Sequence, residues 1–101
     1  MKVLVNGFNY KGRKFVIGER HSDGILVAIE DKFIDKDGKL TQTLYGFSLL
    51  VDRNKNTIPD IINRIYEKVD FEEFMEQQNP QTEEEKLRLT GEFFIKRYNL
   101  A

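Results

Sequence analysis

The hydrophobic period changes once along this chain, and that change most constrains the fold. In the first half apolar side chains recur at every second position, as in Ile25, Val27 and Ile29 or Tyr45, Phe47, Leu49 and Val51. In the second half they recur every three or four positions, as in Ile58, Ile61, Ile62, Ile65 and Val69. A period of two alternates side chains across a strand, whereas a period of 3.6 gathers them on one stripe of a helix. Strands followed by helices, rather than interleaved with them, predict an α+β domain.

Turn residues divide the first half. Strands are expected over Lys2–Phe8, Arg13–Glu19, Ile25–Ile34 and Lys39–Val51, the last with a bulge at Gly46. Asn9-Tyr10-Lys11-Gly12 and Asn6-Gly7 compete for the first turn, because both offer the positive φ that a tight hairpin needs. His21-Ser22-Asp23-Gly24 and Asp35-Lys36-Asp37-Gly38 supply the others. Residues 1–51 are thus read as a four-stranded antiparallel β-meander.

Helix signals organise the rest. Thr57, Pro59 and Asp60 suit a helix start, so a helical segment is expected over 57–78. Its apolar stripe rotates after Val69, and Asp70 with Glu73 resembles a second capping box, predicting a break near 70. Asn79-Pro80 ends it. Thr82 with Glu85 opens a last helix over 82–99. The fold expected is one domain of 101 residues, with two or three C-terminal helices packed on one face of the sheet.

The chain has no cysteine, which excludes disulfides, thiolate metal sites and thiol nucleophiles. Val3-Leu4-Val5 is too short for a signal peptide, so the expected location is cytoplasmic. The formal net charge of −1 carries no general polyanion-binding signature. Abundant Lys, Asn and Ile suggest an AT-rich bacterial or phage origin.

Catalytic groups are scarce. His21 is the sole histidine, and its neighbours Ser22 and Asp23 cannot converge with it on one reacting atom. Gly7 to Lys14 has the glycine spacing of a phosphate loop, but Arg13 and Lys14 occupy the positions where that loop needs Lys and Ser or Thr. The turns at Asp35 and at Asp52-Arg53-Asn54-Lys55-Asn56 lack a complete calcium ligand set. No enzyme activity, cofactor or metal is therefore expected.

Three surfaces remain as binding candidates. Tyr10, Lys11, Arg13 and Lys14, near Phe8 and Phe15, combine rings and cations as a nucleic-acid contact would. The stretch from Asp70 to Glu85 contains no Lys or Arg, and its Glu72, Glu73, Glu76, Glu83 and Glu84 form a candidate docking face for a basic partner. Finally, the last helix carries two apolar stripes. Leu87, Phe94 and Tyr98, beside Gly91 and flanked by Ile95, are expected to face the chain's own sheet; Leu89, Phe93 and Leu100 are the candidate subunit interface. The function expected is a non-enzymatic interaction domain, a homodimer that binds another protein. The alternative is a nucleic-acid-binding module using the N-terminal hairpin.

Overall fold

The computed structural model describes residues 2–20, 24–37, 39, 48–52 and 57–100. The chain is α+β and divides into two compact units, Met1–Ile65 and Tyr66–Ala101.

The first unit holds the sheet. Strands β1 (Lys2–Tyr10), β2 (Arg13–Arg20) and β3 (Ile25–Glu30) form an antiparallel meander. The β1–β2 turn is Lys11-Gly12, with φ of 51° and 79° at its two central residues. Two positive φ values make a type I′ turn, whose twist matches that of the flanking strands. Asn6-Gly7 is not a turn and lies inside β1. There the register slips twice, from Val3↔Gly18 to Val5↔Ile17 and then to Phe8↔Phe15. Each slip adds one residue to β1 relative to β2, and Gly7 takes the second at φ 78°.

The strand expected over Ile25–Ile34 is shorter. It stops at Glu30, and Asp31–Phe33 form a 3₁₀ turn. The Asp35 carboxylate then accepts from the Asp37 and Lys39 backbone N–H groups at 2.9 Å each, closing the following turn. Ser48–Asp52 pair with β3, from Ile29↔Ser48 to Ile25↔Asp52, as a short strand β4. Of the strand expected over Lys39–Val51, Ser48–Val51 fall in β4, while residues 40–47, with Tyr45, Gly46 and Phe47, lie outside the described residues.

Alternating burial was expected for Ile25, Val27 and Ile29. Instead every residue from Leu26 to Glu30 is buried, as are Phe15 to Gly18 on β2. The central strands are covered on both faces. Ile61 and Ile65, in the first two turns of helix α1 (Ile58–Gln78), are wholly buried as well.

Helix α1 is continuous through residue 70, so the expected break is absent. Asp70 does not cap a new helix; it pairs with Arg97 at 2.8 Å. The apolar stripe rotates because this part of α1 meets another helix. Phe71 and Phe74 touch the rings of Phe93 on helix α2 (Glu83–Tyr98).

Both helices end as local chemistry dictates. Asn79 at φ 48° donates its N–H to the Met75 carbonyl, and Pro80 follows. Thr82 caps α2 by accepting from the Glu85 N–H at 3.1 Å, and Glu85 reaches back to the Gln81 N–H. Asn99, also left-handed, and Leu100 donate to the Lys96 and Ile95 carbonyls, which is a Schellman closure. No described helix is long and apolar enough to cross a membrane.

Candidate functional site

The N-terminal hairpin keeps only part of its ring-and-cation cluster at the surface. Phe15 is fully buried, so it is core and cannot stack on a base. Arg13 donates to Glu30 Oε1 at 2.7 Å and lies over the Phe15 ring. Glu30 is 5% exposed, and Lys32 stands 3.7 Å from its other oxygen. Arg13 thus balances a buried carboxylate, a role that two residues seventeen apart do not advertise. Tyr10, with Lys11 over its ring at 5.5 Å, and the exposed Lys14 stay at the surface.

The acidic stretch is spread over two helices. Glu73, Glu76, Glu83 and Glu84 are exposed, and Glu72 is half-buried. Glu83 accepts from Lys86 at 3.3 Å, and Glu85 serves the α2 cap. Acids in a first helical turn also face the positive end of the helix dipole. Much of this charge therefore has a local structural use. At the start of α1, the Thr57 N–H and hydroxyl both donate to Asp60 Oδ2, at 2.8 and 3.0 Å. Those bonds, the backbone one first, hold the Asp60 carboxyl below its ordinary value, with Arg64 adding to the effect.

Helix α2 carries the most informative surface, with its two stripes in the opposite sense to that expected. Leu89 is buried. Phe93 meets Phe71, Phe74 and Phe94 at centroid distances of 5.3, 5.5 and 5.2 Å, with the Arg97 guanidinium over its ring. Of the expected subunit interface, Leu89 is therefore buried in the chain, Phe93 is half-buried against Phe71 and Phe74, and Leu100 is exposed. The stripe expected to face the sheet is the one that points outward: Leu87 is 73% exposed, Tyr98 54% and Ile95 45%. Gly91 sits among them, and a β-carbon added there would meet nothing within 4 Å. Phe94 joins the two sides, stacked on Phe71 at 5.7 Å and on Tyr98 at 6.2 Å. The deciding signal lay on α1, where Phe71 and Phe74 select the stripe containing Phe93.

An open cleft of about 600 Å³ lies behind this face, lined by Asp70, Phe74, Glu92, Phe93, Lys96 and Arg97. Its apolar floor and rim of both charge signs can hold a side chain, but neither histidine, serine nor cysteine lines it. Among the described residues no group of three or more His, Cys, Asp and Glu side chains is placed to hold a metal ion.

Known proteins supply no further guide: no protein-family model, no curated protein and no solved structure matches the chain.

Proposed function

We propose that this chain is a non-enzymatic interaction domain that works by binding a protein through the outer face of α2. The observation that carries this reading is the exposure of Leu87, Ile95 and Tyr98 along one side of that helix. Scattered exposed apolar residues are ordinary, but a contiguous stripe on an ordered helix is characteristic of an interface. The i, i+4, i+7, i+11 spacing of Leu87, Gly91, Phe94 and Tyr98 is that of a helix presenting anchors to a groove or to another helix. The proposal includes a cytoplasmic setting in a bacterium or phage-infected cell, which rests on composition.

The test is capture of partners from native cells with the parent chain and with Leu87→Glu/Tyr98→Glu. A stoichiometric protein retained by the parent and lost in the variant supports the reading. Equal capture by both sinks it. The nucleic-acid alternative keeps Tyr10, Lys11 and Lys14 but gives up Phe15 to the core and Arg13 to Glu30. Retention on heparin with steep salt elution, lost in Lys11→Ala/Lys14→Ala, would favour it instead.

A further inference from the structure

Building on the reading of the outer face of α2 as a docking surface, we propose that its occupant is a second copy of this chain, packed antiparallel about Thr90 and Gly91.

At 100° per residue, Leu87, Gly91, Phe94 and Tyr98 lie within an arc of about 60°. Glu83 and Arg97 flank that arc on one side, and Arg88, with the long Glu92 side chain further round the helix, flanks it on the other. In an antiparallel pair related by a two-fold axis, each flank meets the same flank of the copy with its direction reversed. Centring the axis near Thr90 and Gly91 sets Leu87 opposite Phe94 of the second copy. An axis half a residue away, at Thr90, sets Glu83 opposite Arg97 and Arg88 opposite Glu92 of the second copy. All four flank contacts then join unlike charges. The first turn of α2 holds Glu83, Glu84 and Glu85, and the last turn holds Lys96 and Arg97. A parallel pair would oppose acid to acid at one end and base to base at the other.

Two further observations agree. Gly91 costs helix propensity, yet among the described residues nothing lies within 4 Å of where its β-carbon would be. At the centre of a helix pair, a missing β-carbon lets the two backbones come close. The flank charges are also available. Arg88 and Glu92 side chains are 63% and 54% exposed in their present pairing, and the Arg97 guanidinium has donors beyond the one given to Asp70.

The experiment is sedimentation equilibrium of the full chain from about 10 μM to about 1 mM, the range in which a small interface dissociates. The parent is expected to pass from monomer to dimer mass. R88E and E92R chains should each stay monomeric at concentrations where the parent is dimeric, and an equimolar mixture should regain dimer mass. Circular dichroism should show both variants folded, since these side chains are exposed. A parent that is monomeric throughout overturns the self-pairing proposal. If the Leu87-dependent capture above still succeeds in that case, the docking face stands with a different occupant; if it also fails, both readings fall. A dimer that R88E and E92R leave unchanged, or that their mixture does not restore, overturns the antiparallel register.

Discussion

Arg13→Gln should destabilise the protein far more than an exposed cation warrants. The Glu30 side chain is 6% exposed, Arg13 28%, and their ion pair is 2.7 Å long. Removing one partner of a buried pair leaves an uncompensated charge and costs about 3–5 kcal/mol. Lys32 remains 3.7 Å from Glu30, but at 66% exposed it is screened and offsets only part of that loss. The net expectation is about 2–4 kcal/mol, a large share of a small domain's stability. Urea unfolding followed by circular dichroism should show the midpoint falling by roughly 2 M, taking a slope of about 1.5 kcal/mol/M. The double variant Arg13→Met/Glu30→Leu should recover most of the loss, because neither charge is then left buried. If Arg13→Gln lies within about 0.5 kcal/mol of the parent, Arg13 is a solvated surface cation and the reasoning is wrong. The point bears on function too. A triple substitution of Lys11, Arg13 and Lys14 would lose binding by losing the fold, so Lys11 and Lys14 are the informative pair.

Phe93→Ala should cost about 2–3 kcal/mol in the same assay, less than a fully buried phenylalanine because Phe93 is only partly covered, whereas Leu87→Ala should change stability by under about 0.5 kcal/mol; the reverse order would restore the opposite stripe assignment. Asp60 contributes stability that is fully present above its unfolded value of 3.8 and is lost as pH falls through the lower folded value. Asp60→Asn should therefore destabilise at neutral pH and converge with the parent in strong acid, and a difference independent of pH would show that the charge is irrelevant. Millimolar calcium should leave the melting temperature unchanged, and a rise of several degrees would reveal a ligand set at one of the acidic turns.

What could be read from the sequence followed the range of the interaction. Thr82, Glu85 and Asn79-Pro80 act on neighbours within a turn, so the start of α2 and the end of α1 were legible as written. The choice between Asn6-Gly7 and Lys11-Gly12 was not, since both satisfy the same local rule and pairing across β2 decides between them. The false break at 70 has a similar origin. A rotated stripe and an acid three residues from another acid look like a helix start, until Arg97 supplies Asp70 with a distant partner. Which α2 stripe is inside depends on Phe71 and Phe74, roughly twenty residues away. Gly91 does not help to choose, since a glycine beside a stripe permits close approach without saying what approaches. The two-unit division has no compositional mark, because α1 runs across it.

The two extra residues in β1 have a consequence for how copies of this chain can and cannot associate. A sheet edge with regular spacing offers a template on which another strand can dock and aggregation can begin. β1 stands at one end of the strand order, yet its slips before Val5 and before Phe8 bend it and interrupt the spacing of its outward backbone groups. An incoming straight strand would find register over only a few residues at a time. The chain is thereby steered away from open-ended stacking through this edge. Deleting one bulge residue, such as Gly7, would lengthen the regular stretch and should make the chain more prone to aggregate, as light scattering on standing would show.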